Sequence, residues 1–268
     1  MQYRLLALDL DGTLMTTEKK VTDYTKKVLL CAQEAGVRIA LTSGRPVPGV
    51  KPIADLLKLP QFGGYVAACN GGRIYACATG ENLYEEFLPQ NLIPKLCAFG
   101  IENDVTMVVY HEDQLITQQA ENRYARFDAS VNHMKIKECK ELLAAIQFPI
   151  YKFLMAADPP VIQKLISKAQ KTFPECSVYR SDPYYMEFMP LGGNKAKALR
   201  ALLNHFGWNR EELMACGDGF NDISMVEYAG LGVAMKNAQK PVLEVADAVT
   251  LSNDEDGVAK AVEKYCLS

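Results

Sequence analysis

The strongest constraint on the fold is a set of short, largely apolar runs that do not alternate with polar residues. Tyr3 to Leu10, Val37 to Leu41 and Tyr65 to Ala68 are such runs. A strand with one wet face alternates inward and outward residues; a strand covered on both faces need not, and that is the mark of a parallel sheet. Thr22 or Asp23 can cap a helix running to about Ala35, with Val28, Leu29, Ala32 and Ala35 on one face and Gly36 as its stop. A second helix is expected over Val50 to Leu57. Strand, helix, strand, helix, strand implies a parallel sheet joined by right-handed crossovers.

The same rhythm returns near the other end. Asn194 can cap a helix over Lys195 to about Phe206, followed by a strand over Leu213 to Cys216. A short helix from about Asp222 to Tyr228, a strand over Leu231 to Met235, a helix over Lys240 to Val245, a last strand over Ala248 to Leu251 and a closing helix over Gly257 to Tyr265 complete the pattern. The middle reads differently. Strands are expected at Thr106–Tyr110, Gln114–Thr117, Ile150–Ala156 and Tyr184–Met189, and helices near Leu92–Phe99, Lys137–Ala145 and Pro160–Phe173. Without strict alternation, this is an α+β domain inserted into an α/β, Rossmann-like, doubly wound core. The expected division is core over 1–82 and 189–268 and an inserted cap over 83–188, with crossings near Gly80 and Pro190.

Composition narrows the function. With 29 basic and 32 acidic residues the net charge is −3, which gives no electrostatic reason to expect nucleic acid or an anionic membrane as partner. No apolar run is long enough to span a bilayer. The 8 cysteines form no CxxC pair, and most sit in apolar or helical runs. They read as reduced thiols of a cytoplasmic protein. The 3 histidines lie far from any cysteine pair, so a zinc site is not expected.

Polar loops follow or precede these elements: Asp9-Leu10-Asp11-Gly12-Thr13, Thr42-Ser43-Gly44-Arg45, Gly193-Asn194-Lys195 and Gly217-Asp218-Gly219-Phe220-Asn221-Asp222. Sites in open parallel sheets form at the carboxyl ends of the strands, so these loops can converge. Carboxylates two residues apart on an extended segment, with a third acidic loop, make an oxygen cage suited to Mg2+. Ser43 and the amides near Gly44 can bond phosphate oxygens. Lys195 at a helix N-terminus adds a cation where the helix already favours an anion. A carboxylate nucleophile would divide ester hydrolysis into two easier steps, and a second carboxyl group would move the protons.

In that order, DLDGT, TSGR, a lysine and GDGFND, the sequence resembles the haloacid dehalogenase superfamily of phosphatases. GDGFNDISM followed by Gly232-Val233-Ala234-Met235-Lys236-Asn237-Ala238 resembles its Cof-type branch, whose members carry a type IIB α+β cap. The resemblance covers the whole chain. It implies that Asp9 is the nucleophile and a metal ligand, that Asp11 is the general acid/base and gives the metal its backbone carbonyl, and that Ser43, Gly44 and Lys195 hold the phosphate. It implies Asp218 as the third protein ligand of Mg2+, Asp222 as its support, and Asn221 as a contact to phosphate or a guide for Lys195. The third motif departs slightly: Gly192-Gly193-Asn194-Lys195-Ala196 stands where many relatives have serine before the lysine and glycine after it. Asparagine caps a helix as well as serine does.

The expected activity is Mg2+-dependent hydrolysis of small phosphate monoesters, sugar phosphates or similar metabolites, through an aspartyl-phosphate intermediate. Two alternatives keep the same residues: a phosphomutase, and a non-catalytic protein that binds phosphorylated metabolites. Arg45, Asn237, Arg180, Tyr185 and Glu187 are expected substrate contacts chosen for position and polarity. Asn70-Gly71-Gly72 reads as a hinge turn leading toward the cap, and Trp208 and the methionines as packing.

Overall fold

A computed structural model describes residues 2–267. The chain forms two compact units, one from residues up to Tyr84 together with those from Asn194 onward, the other spanning Glu85–Gly193.

The first unit is built on an eight-stranded sheet. From one edge its strands are Ala248–Val249, Leu231–Ala234, Leu213–Gly217, Leu5–Asp9, Arg38–Thr42, Tyr65–Ala68, Arg73–Ala76 and Asn82–Glu85. The first six are parallel. Leu5, Leu6, Ala7 and Leu8 are all fully buried, because helices cover both faces. On one face Leu5 and Ala7 pack with Leu199, Leu202 and Leu203 of the helix Lys195–Phe206.

Local rules place most of these elements. The Thr22 side chain accepts from the Thr25 amide and starts the helix Asp23–Glu34. The Asn194 side chain accepts from the Lys197 amide and starts Lys195–Phe206, which ends at left-handed Gly207. The segment Asn70-Gly71-Gly72 departs from its expected role as a hinge toward the cap. It turns the chain back into Arg73–Ala76, which pairs antiparallel with Tyr65–Ala68. The alternation of half-buried Arg73 and Tyr75 with buried Ile74 and Ala76 is that of a strand with one covered face.

The second unit holds a six-stranded sheet ordered Cys176–Asp182, Tyr185–Pro190, Phe153–Ala156, Thr106–His111, Gln114–Thr117 and Lys135–Glu138. Leu96, Phe99, Ile162, Ala169 and Phe173, from the helices Ile93–Glu102 and Pro159–Thr172 and the turn that follows, pack on one face with Phe153 and Phe188. Ala125 and Ala129 of the helix Arg123–Val131 pack on the other with Val108, Leu115 and Leu154. That helix and the strand Cys176–Asp182 were not expected from the sequence. The buried face of Arg123–Val131 is only Ala125, Asp128 and Ala129, too small and polar for an apolar stripe. The expected helix over Lys137–Ala145 is instead the end of a strand, Lys135–Glu138, and a short helix, Leu142–Ala145.

Among the described residues no disulfide joins any of the cysteines. No described helix is long and apolar enough to cross a membrane.

Candidate active site

The strand Leu5–Asp9 lies between Leu213–Gly217 and Arg38–Thr42, where the chain first builds to one side and later to the other. Such a reversal leaves a crevice at the strand ends. The register sets Asp9 beside Thr42 and Leu8 beside Cys216, so Asp9, Ser43 and Asp218 emerge at the same edge.

Lys195 is completely buried there. Its Nζ donates to Asp9 Oδ1 at 2.6 Å, to Asp222 Oδ1 at 2.5 Å and to the Thr42 carbonyl at 3.3 Å. Burial pulls the ammonium toward the neutral form, but Asp222 and Asp9 outweigh it and hold the lysine above its ordinary value. The same burial raises the Asp9 carboxyl well above the usual range. Asp222 and Asp218 raise it further against the opposing pull of Lys195. Asp222 has its other oxygen committed as well, accepting from the amides of Asp218 at 3.0 Å and Gly219 at 2.9 Å.

The loop after Asp9 turns at Gly12, whose φ is +88°. A Cβ at Gly12 would lie 2.4 Å from Asp218 Oδ2, so glycine is required both for the left-handed conformation and for the approach of the two acidic loops. Thr13 Oγ1 donates to Asp218 Oδ1 at 2.6 Å. Burial nevertheless raises the Asp218 carboxyl to about 6, with Asp222 adding to it and the Thr13 bond opposing.

Asp11 faces a different environment. Arg45 grips both its oxygens, Nε to Oδ2 at 2.8 Å and Nη2 to Oδ1 at 2.7 Å, and Lys19 Nζ reaches Oδ1 at 2.7 Å. Burial alone would raise its carboxyl; the bonds and charges of Arg45 and Lys19 hold it below the ordinary value. Two aspartates two residues apart are thus driven in opposite directions, a pattern typical of paired acid/base chemistry.

Carboxylate oxygens of Asp9, Asp218 and Asp222 lie within 4.8 Å of one another. Three carboxylates against one buried ammonium leave an excess of negative charge, which adds to the burial that raises the Asp9 and Asp218 carboxyls. A hard divalent cation with oxygen ligands fits that charge and donor set. Asp222 is spent on Lys195 and two amides, which leaves Asp9 and Asp218 better placed to face a cation.

Ser43 is buried at the end of Arg38–Thr42, and its Oγ accepts from the Arg45 amide at 3.2 Å. Asn221 is exposed and donates through Nδ2 to Asn70 Oδ1 at 2.9 Å. Asn237 donates to the Gly12 carbonyl and accepts from the Asn253 amide, so it braces the Asp9–Thr13 loop. Thr13, Lys19 and Asn70 were not anticipated at this site. Thr13 had a signal, its place within DLDGT; Lys19 had none, since its reach to Asp11 depends on the path of the chain between them.

Of the residues expected to touch substrate from the second unit, Arg180 is exposed. Tyr185 is buried, with its hydroxyl donating to the Tyr124 carbonyl at 2.7 Å. Glu187 is buried and pairs with Lys152 at 3.1 Å. The polarity that drew attention to Glu187 serves an internal ion pair.

The family model for haloacid dehalogenase-like hydrolases matches residues 6–262, and the chain belongs to that family. Within it the chain is a phosphatase by its relatives. It is 31% identical over 267 residues to the 5-amino-6-(5-phospho-D-ribitylamino)uracil phosphatase YcsE of Bacillus subtilis (strain 168), covering 100% of this chain and 97% of that one. A crystal structure of a haloacid dehalogenase-like hydrolase from Bacteroides thetaiotaomicron superimposes with a TM-score of 0.93 at 39% identity, covering 98% of this chain and 99% of that one. The HAD subclass IIB sugar phosphatase BT4131 gives a TM-score of 0.85 at 25% identity over 99% of this chain and 100% of its own. Phosphatases of this superfamily use a divalent metal.

Proposed function

We propose that this protein hydrolyses phosphate monoesters of sugars or related polyols, with Mg2+, through an aspartyl phosphate on Asp9. The observation that carries the reading is Lys195: a fully buried ammonium held between Asp9 and Asp222, at the end of the central strand, where a phosphoryl group would meet it. A fold gains little from burying such a charge, since desolvation offsets most of the attraction. A site that must bind a phosphoryl group next to a carboxylate nucleophile needs that cation to suppress their repulsion.

In the first step a carboxylate oxygen of Asp9 attacks phosphorus and the ester oxygen leaves, taking a proton from Asp11. Lys195, Ser43 and the amide of Gly44 hold the phosphoryl oxygens, and Asn221 adds a contact at the rim. In the second step Asp11 takes a proton from water, the water oxygen bonds to phosphorus, and the bond to Asp9 breaks to release phosphate. Asp11 starts ionised between Arg45 and Lys19, which suits its role as base. For its role as acid it must carry a proton and surrender one of those partners to the leaving group. A bound Mg2+, held by Asp9, Asp218 and the Asp11 carbonyl, would neutralise charge on the phosphoryl oxygens.

The sugar or polyol class is supported by the names of BT4131 and YcsE, whose substrates as named are a sugar phosphate and a phosphorylated ribityl compound. The division at 1–82, 83–188 and 189–268 is part of the same proposal, with the α+β unit acting as the cap that selects the leaving group and Arg180 as its exposed candidate contact. Rapid-quench trapping of labelled phosphoenzyme tests the reading. Wild-type protein should form an acid-stable, base-labile adduct and folded Asp9→Asn should form none. Labelling of folded Asp9→Asn would overturn the assignment.

A further inference from the structure

The turn after Tyr65–Ala68 is unusual in its backbone. Cys69, Asn70 and Gly71 all have positive φ, at 51°, 52° and 92°. Only the last is glycine. Two successive side-chain-bearing residues in the left-handed region cost free energy and persist where their surroundings fix them. Asparagine tolerates that region better than most residues.

The surroundings that fix this turn belong to the phosphate loop. The Cys69 amide donates to the Arg45 carbonyl at 2.9 Å and the Asn70 amide to the Ser43 carbonyl at 2.8 Å. The strained turn is therefore fastened to both sides of Gly44. The Asn70 side chain, only 5% exposed, lies against Gly44 so closely that a Cβ there would sit 3.2 Å from its Nδ2 and its Oδ1. Its Oδ1 also accepts from Asn221 Nδ2 at 2.9 Å, so one buried amide joins the Ser43–Arg45 loop to the loop bearing Asp218 and Asp222.

We propose that Asn70 is a positioning residue that sets the spacing between the Ser43–Gly44 phosphate loop and Asn221. It does not touch the phosphoryl group; it fixes the groups that do. The loops leave strands on opposite sides of Leu5–Asp9, and no neighbouring-strand hydrogen bonds set their separation. A bridge between them has a function there that sheet geometry does not already supply. This inference rests on the phosphatase reading of the site.

The test uses Asn70→Gly, which keeps the left-handed backbone without strain and removes the bridging amide. Inhibition by inorganic phosphate in the presence of Mg2+ is measured together with KM, kcat and Tm. The expected result is a rise of about tenfold or more in the phosphate inhibition constant and in KM, in protein that still melts cooperatively, since small misplacements of binding groups carry penalties of that size. A merely structural role would lower Tm and the active fraction and leave both constants unchanged, and that outcome would overturn the proposal. Asn221→Ala removes the same bond together with the contact Asn221 itself makes to phosphate, so it should raise the phosphate constant at least as much; an unchanged constant there refutes the proposal whether or not Asn70→Gly folds. In the double variant the two effects should be strongly non-additive, and simple additivity counts against the bridge. Wild-type protein indifferent to phosphate would instead strike the phosphatase reading, and this inference with it.

Discussion

Replacing Lys195 with methionine removes a charge and little volume. The wild-type ammonium is 0% exposed and bonded to two carboxylates. In Lys195→Met, Asp9 and Asp222 remain buried without their cation. Removing one partner of a buried ionic group costs about 3–5 kcal/mol. At about 2–4 °C per kcal/mol, that lowers Tm by roughly 6–20 °C. The loss should depend on pH. Asp9 and Asp218 both have carboxyls raised in the folded protein, so the folded state binds more protons than the unfolded one above the ordinary value of 3.8. Stability therefore falls as pH rises through the folded-state values, which for Asp218 is about 6. Without Lys195 to oppose them, these carboxyls rise further. The Tm gap between wild type and variant should be widest at alkaline pH and narrow on acidification down to the wild-type values, about 6 for Asp218. Differential scanning calorimetry across that range, with metal absent, measures it. Hydrolysis should fall about 10²–10³-fold, the usual loss when one charge-stabilising donor is removed. A Tm within 2 °C of wild type (on the order of 1 kcal/mol or less), or a gap independent of pH, would refute the buried-cation argument.

Exhaustive chelation should abolish hydrolysis and addition of Mg2+ restore it; Mg2+ at about 100 times its dissociation constant should stabilise the fold by about 2.7 kcal/mol, seen as a higher Tm. Asp11→Asn should slow hydrolysis of sugar phosphates by about 10²–10⁴-fold. An ester with a very good leaving group should recover much of the first step, leaving phosphoenzyme to accumulate in rapid-quench traps; equal losses for good and poor leaving groups would count against Asp11 as the acid. Glu187→Ala removes one partner of a buried ion pair, so it should destabilise the protein by about 3–5 kcal/mol. Arg180→Ala, at an exposed position, should leave Tm unchanged while altering relative kcat/KM among sugar phosphates.

The sequence by itself determined the fold class and most of the core elements. Non-alternating apolar runs, a threonine cap at Thr22, an asparagine cap at Asn194 and a glycine stop at Gly36 are local signals, and local signals survive in a linear string. It also named the acids and the lysine, because their order along the chain is specific even though each motif alone is common. In the second unit the same reading was weaker: the helix Arg123–Val131 buries alanine and aspartate instead of an apolar stripe and left no periodicity to read. What only the tertiary structure decided is which polar groups answer which. Asp11 lies two residues from Asp9, yet one is gripped by Arg45 and Lys19 and the other by Lys195. Glu187 looked like a ligand contact and is half of a buried ion pair. Asn70 looked like part of a hinge and instead bonds to Asn221, 151 residues away in the chain. Charge and hydrogen-bond partnership act over a few ångströms of space, and parallel crossovers bring together residues whose separation in sequence carries no trace of that distance.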